Sequence, residues 1–281
     1  MKYSRKLIAC ATLAMFVIVM TAVAIAAESS VDWGRGVIRV VGNGVGNAKY
    51  ARKPGQYRLT ARQAARMDAQ RKLVDAIEGV QVTAESSMKD FELEYDVVKT
   101  ASAGLIKNAT EVGDAKFFDD GTCEVVMEMN MYGAKNSVAS AAFLPFKNEK
   151  KSAFPKPKNK TVINNTTIIN NNYTGLVVDC SGMDINYVMS PVIKNAEGTP
   201  IYGHENLDYD KIIVTGMASY ADDAYDNISR ARAGNNPLVV KAVKLSDLNA
   251  NPVVSVEDAD KILAANSHDK FLDNCSVVFV K

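Results

Sequence analysis

The clearest hydrophobic period lies in YRLTARQAARMDAQRKLVDAIEGV, residues 57–80. Ala61, Ala65, Ala69 and Ala76 share one sector at about 100° per residue, and Leu73, Ile77 and Val80 continue that face. The pattern predicts a helix that lies close on a sheet through its alanines and fills space with larger side chains toward its C-terminal end. Upstream, GVIRVVGNGVG alternates Val37, Arg39 and Val41 with Ile38 and Val40, a strand whose glycines read as a strand-end turn. Downstream, Val80 and Val82 alternate in GVQVTAESSM and read as a second strand. YDVVKTASAGLIKN then carries Val97, Val98, Ala101, Leu105 and Ile106 near helical spacing. TEVGDAKFFDDGTCEVVMEMNMYG reads as a hairpin turning at Asp119-Asp120-Gly121. The sum is β-α-β-α-β-β, a small α+β layer sandwich.

The C-terminal half mixes elements differently. TGLVVDC, KIIVTGMASY, NPLVVKAVKL and CSVVFVK read as strands, and PVIKNAEGTPIYG as a hairpin around Asn195–Gly198. ADDAYDNISRARAG reads as a helix ended by Gly234. SVEDADKILAANSHDKFLDN starts a helix with Ser255 as N-cap and Glu257-Asp258 in the first turn. Between the halves, NEKKSAFPKPKNKTVINNTTIINNNYTG clusters lysine and proline and then asparagine, threonine and isoleucine. It reads as an exposed linker, with an edge or self-associating strand as the alternative for TVINNTTIINNNY. The expected organisation is an α+β domain over 34–146, a linker over 147–173 and a second α+β domain over 174–281.

The N-terminus decides the compartment. Lys2, Arg5 and Lys6 precede an apolar run from Leu7 to Ile25, and Ala24-Ile25-Ala26 forms a small-x-small cleavage site. This is the layout of a signal peptide over residues 1–26. The run, at about nineteen residues, is also long enough to span a bilayer, so the membrane is a partner only if the segment is retained. Cys10 precedes the apolar core, which argues against a lipid anchor there. The expected location is the periplasm, cell envelope or exterior. Removing residues 1–26 takes three of the 33 basic residues and none of the 32 acids, leaving a nearly neutral protein with no overall case for nucleic acid. Cys123, Cys180 and Cys275 then remain, too few for a disulfide framework. A single Cys180–Cys275 bridge and three buried thiols are equally weighted readings.

Catalytic patterns are hard to find. Gly42, Gly44 and Gly46 follow a strand but are spaced G-x-G-x-G and do not open directly into a helix, as a dinucleotide loop requires. His204 and His268 have no metal-ligand spacing. Asp222, Asp223 and Asp226, like Glu257, Asp258 and Asp260, lack the alternation of a calcium loop and read as solvated helix starts. The reading therefore names no catalytic, cofactor or metal residue. Two alternatives stand beside a non-enzymatic role. One is a ligand pocket around Tyr187, Tyr202, His204 and Tyr209; the other is a hydrolase using Cys180 or Cys275 with His204.

Charge is distributed in blocks. Residues 49–72 hold Lys49, Arg52, Lys53, Arg58, Arg62, Arg66, Arg71 and Lys72 against Asp68; residues 73–96 hold seven acids against Lys89. Arg58, Arg62, Arg66, Asp68 and Arg71 are the interaction candidates. Arg62 and Arg66, on the buried-side sector, must overhang the sheet edge, snorkel or meet carboxylates such as those of AESSMKDFELEYD. Carboxylates are the expected partners, with the opposed charge blocks pairing within one subunit or head to tail between subunits.

The run ARQAARMDAQRKLVDAIEGVQV, a second helix and GDAKFFDDGTCEVVMEMNMYG together resemble the LPP-twenty lipoprotein family over about residues 35–133. The matching positions are Ala61, Arg62, Ala64, Ala65, Asp68, Ala69, Arg71, Leu73, Ile77, Gly79 and Val80. The same module is similar to the N-terminal domain of flagellar assembly protein T, a periplasmic basal-body ring component. The resemblance implies an exported envelope protein with a dodecin-like α+β domain and no catalytic residues. It implies partners that are further copies of the chain or envelope and flagellar proteins. The lipobox cysteine of the lipoprotein members has no counterpart at the cleavage site here.

Overall fold

The computed structural model describes residues 30–158 and 172–281. The signal segment and the Asn/Thr/Ile tract lie outside the described residues. The fold is mixed α+β, with seven α-helices and two sheets among the described residues.

The first sheet is antiparallel, built from β1 (Ser30–Asp32), β2 (Val37–Val45), β3 (Thr110–Glu111), β4 (Lys116–Phe117) and β5 (Thr122–Asn130). Its order is β1-β2-β5-β3, with β4 also paired to β5. One face carries Ile38, Val40, Gly42 and Gly44 opposite Met129, Met127, Val125 and Cys123. Against it lies α1 (Pro54–Glu78), which buries Ala61, Ala65, Ala69, Leu73 and Ile77 at a spacing of four. The other face is charged: Arg39 and Arg35 flank Glu128, at 3.5 and 3.8 Å.

The glycine run is not a strand-end turn. Gly42 and Gly44 lie inside β2, and a Cβ there would stand 2.1 Å from the Ala65 carbonyl oxygen and 2.2 Å from the Ala65 nitrogen. The helix backbone rests directly on the strand backbone, so alanine on one side requires glycine on the other.

Val80 and Val82 are also not in a strand. They are buried in a turn, from which α2 (Met88–Glu94) starts in a capping box between Ser87 and Asp90. Gln81 and Val82 carbonyls accept from the Met189 and Ser190 amides of the C-terminal half, at 3.0 and 2.7 Å. Burial at this seam, not sheet pairing, explains their apolar alternation. The expected β-α-β-α-β-β order is therefore corrected at its second strand. A helix α3 (Asp96–Lys107) follows as expected, and a short helix α4 (Val138–Ala142) follows β5.

The second sheet contains β6 (Gly175–Asp179), β7 (Ile193–Asn195), β8 (Pro200–Tyr202), β9 (Ser219–Ala221), β10 (Pro237–Ser246), β11 (Asn251–Val254) and β12 (Val277–Val280). Its order is β8-β7-β11-β10-β6-β12-β9, and β10, β6, β12 and β9 run parallel. KIIVTGMASY divides differently from its strand reading: Asp208 caps a helix α5 (Tyr209–Thr215), and only Ser219–Ala221 is extended. Helix α6 (Asn227–Ala233), ended by Gly234 at φ 75°, packs with Val177, Val278 and Val280 on one face of the sheet. Helix α7 (Val256–Asp269), capped by Ser255, packs through Ile262 and Leu263 on the other.

A single apolar cluster runs from Ile38 and Leu73 in the first half to Leu176 and Phe279 in the second. Residues 147–158 follow the second half: the Ser152 amide donates to Glu205 O at 2.7 Å, and the Lys158 amide to the Asp260 carboxylate at 2.8 Å.

Candidate functional site

Each arginine of α1 finds its own setting. Arg62 donates through Nε and Nη2 to Oε1 of Glu111 at 3.1 and 2.8 Å, and Arg66 reaches the other oxygen at 3.5 Å. The expectation that both meet a carboxylate is met, but that carboxylate belongs to β3 and not to residues 85–96. The pair clamps α1 to a two-residue edge strand. Asp68 accepts from the Asn43 amide at 3.0 Å, Arg71 at 2.6 Å and Lys72 at 2.9 Å. Burial works to raise its carboxyl, and these three contacts outweigh that, so it titrates below the usual carboxylate range. Lys72 also donates to Val41 O at 2.7 Å. Of the four arginine candidates, only Arg58 has no carboxylate partner among the described residues; its guanidinium lies 5.3 Å from the Phe117 ring centroid.

Arg58 belongs to a surface that the sequence did not single out. It lines an open cleft of 290 Å³ with Tyr57, Phe117, Phe118 and Asp119. Phe117 and Phe118 are exposed in it, Leu59 is exposed on the next residue of α1, and Lys53 forms the N-cap of α1 with no side-chain cap bond. At the other end of α1, α2 carries Glu92 and Glu94 beside Leu93, which is 80% exposed, with Val97 exposed on α3. Glu85, Glu92 and Asp96 make no ion pair among the described residues. From Arg58 to Ile77 the helix spans about 28 Å at 1.5 Å per residue. The molecule thus carries a basic apolar patch at one end of α1 and an acidic apolar patch at the other.

These charges oppose the helix's own field. α1 has no acid in its first turn and no base in its last. A helix N-terminus favours anions and its C-terminus cations, each by about 0.3–1 kcal/mol. Neither end collects that stabilisation here.

The aromatic candidates of the C-terminal half do not meet in one pocket. Tyr202 is fully buried and its hydroxyl donates to Met217 O at 2.6 Å. His204 and Tyr209 share a cleft of 310 Å³ with Glu149, Lys151 and Phe146, whose ring centroid is 4.9 Å from that of His204. Tyr187 lies elsewhere, stacked 4.3 Å from Tyr220 beside Trp33.

Cys123, Cys180 and Cys275 are free and buried, so the Cys180–Cys275 bridge is not formed. The reason lies in the sheet. Val277 pairs with Leu176 and Val280 with Asp179 in parallel register. Cys275 therefore precedes one strand while Cys180 follows its neighbour, roughly 20 Å apart at about 3.3 Å per residue. Bridged cysteines need Cα atoms within about 7 Å. Burial pushes the Cys180 thiol up to about 12 and also raises Cys275, the opposite of what an activated nucleophile requires. No group of three or more His, Cys, Asp or Glu that could hold a metal occurs among the described residues. No helix among them is long and apolar enough to cross a membrane.

Fold and surface define a two-sheet α+β protein with charge-opposed ends on its first layer. Within it, residues 175–281 match the family model described as the second domain of Treponema pallidum Tp0624. That span begins at the first residue of β6 and holds the whole seven-stranded sheet. No curated protein matches the chain.

Proposed function

We propose that this is an exported cell-envelope protein with a non-enzymatic assembly role, joining copies of itself head to tail through the two ends of α1. The observation that carries the reading is the disposition of charge: basic and acidic patches, each with exposed apolar side chains, stand at opposite ends of one helix and against its dipole. A second copy placed end to end would set Arg58 and Lys53 against Glu92 and Glu94. It would also cover Phe117, Phe118 and Leu93, the mixture of apolar centre and charged rim usual in protein interfaces. The resemblance to the LPP-twenty module and to a basal-body ring component supports an envelope setting, with the flagellar base as the machine to examine first. The apolar run after Lys2, Arg5 and Lys6 supports export.

Sedimentation of the purified protein at about 20 mM and 500 mM salt tests the reading, because exposed charge pairs are screened over a Debye length of a few ångströms at the higher value. Oligomers at low salt that dissociate at high salt are expected. A monomer at both salt concentrations contradicts it.

A further inference from the structure

The second sheet ends in an open cleft of 370 Å³ that no part of the assembly reading uses. Three of its residues lie just beyond the carboxyl ends of adjacent parallel strands: Tyr187 in the loop after β6, Asp222 directly after β9 and Lys281 directly after β12. In open sheets with helices on both faces, ligands bind outside the carboxyl ends of the strands, and this cleft lies at that edge of the parallel strands. Trp33, from the turn between β1 and β2, closes the cleft from the other half of the molecule.

The floor is aromatic and fixed. Tyr220 is buried, and its hydroxyl both donates to Val188 O at 3.0 Å and accepts from the Val188 amide at 2.9 Å. Tyr187 stacks on it, and Trp33 stands edge-on to both rings at 5.9 Å. Trp33 and Tyr187 keep partly exposed surface. The rim is polar and of mixed sign: Asp32, Asp222 and Lys281, with the lysine ammonium 3.5 Å from Asp222 and 5.4 Å from the Tyr187 centroid.

We infer that this cleft binds a neutral saccharide. An anionic ligand meets two carboxylates. A cationic ligand meets an ammonium already seated on the aromatic floor. A neutral sugar ring uses every feature: its C–H face covers Trp33 and Tyr187 as apolar surface, while its hydroxyls donate to Asp32 and Asp222 and accept from Lys281. The volume lies within the range of about 300–1,000 Å³ usual for small-molecule sites.

Trp33 is the only tryptophan in the chain, so its emission reports on the cleft directly. The titrants are N-acetylglucosamine, its β-1,4-linked tetramer and cellotetraose, with choline and inorganic phosphate as charged comparators, all at high salt. A saturable change with at least one saccharide is expected, weakened about fivefold or more in Asp222→Ala, the scale of one lost hydrogen bond. Asp222 is exposed, with 84% of its side-chain surface accessible, so that variant keeps the fold; Tyr187→Ala should weaken binding further. Equal affinity for monomer and tetramer assigns a free sugar, and tighter tetramer binding assigns a glycan chain. No saturable change with any saccharide overturns the inference, as does a response to choline or phosphate alone. So does Asp222→Ala binding as tightly as the parent. None of these outcomes bears on assembly through α1.

Discussion

A methyl group at Gly44 would stand 2.2 Å from the Ala65 nitrogen, and one at Gly42 2.1 Å from the Ala65 carbonyl oxygen. Neither contact is with a flexible side chain, so Gly42→Ala or Gly44→Ala must push α1 off the sheet. Overpacking of this kind costs about 1–3 kcal/mol, and more where backbone must move, so a lower urea midpoint with an unchanged slope is expected. Asp68 makes a second residue-scale prediction. Its folded pKa is depressed, so its contribution is fully present above the unfolded value of about 3.9 and is lost as pH falls through the folded value. Asp68→Asn should lower stability at neutral pH and flatten its decline below about pH 4 in acid titrations followed by circular dichroism. The alanine stripe facing the glycines was legible in the sequence because a helix repeats on one face. The glycines carried a matching signal, a period of two in step with Ile38 and Val40, but G-x-G-x-G also looks like a turn. The partner of Arg62 and Arg66 was not legible, because Glu111 is 49 residues from Arg62 and meets it only through packing of helix on sheet.

Among the elements, α1 is held by burial and not by its ends. Its N-cap Lys53 makes no side-chain cap bond, and its first turn has no acid. Lys53→Asp supplies an acceptor for the orphan amides and an anion at the positive end of the dipole. It should therefore raise the stability of the monomer by about 0.5–2 kcal/mol. The same change should weaken association, and a variant that gains both stability and oligomer size would speak against the proposed interface. Two strand readings failed at this scale for one physical reason. Val80, Val82 and the Ile212-Ile213 pair are buried by tertiary contacts, and short apolar runs do not reveal whether a strand, a turn or a helix buries them. The helix starts at Ser255 and the stop at Gly234 were readable because capping is local chemistry. The cysteine pairing was not, since the offset between β6 and β12 depends on strand order. The three thiols should stay unreactive toward an alkylating agent in the folded protein and react together on unfolding. Mobility on non-reducing and reducing gels should be the same.

At the scale of the whole molecule, the two sheets share one apolar cluster, sealed by Trp33 against Tyr187 and Tyr220 and by the Gln81 and Val82 carbonyls. The α+β class could be read from the alternation of periods along the chain. The carboxyl-edge cleft could not, since it joins Asp32 and Trp33 of the first half to Tyr187, Asp222 and Lys281, which follow three separate strands of the second. If the basic end of one copy meets the acidic end of the next, Lys53→Glu/Arg58→Glu makes both ends acidic, and Glu92→Lys/Glu94→Lys makes both ends basic. Each double variant should be monomeric alone at low salt. Analytical ultracentrifugation of an equimolar mixture of the two is the decisive measurement. The mixture should regain a complex absent from either variant alone, lost again at about 500 mM salt. A mixture that stays monomeric, or single variants that assemble like the parent, would contradict head-to-tail assembly.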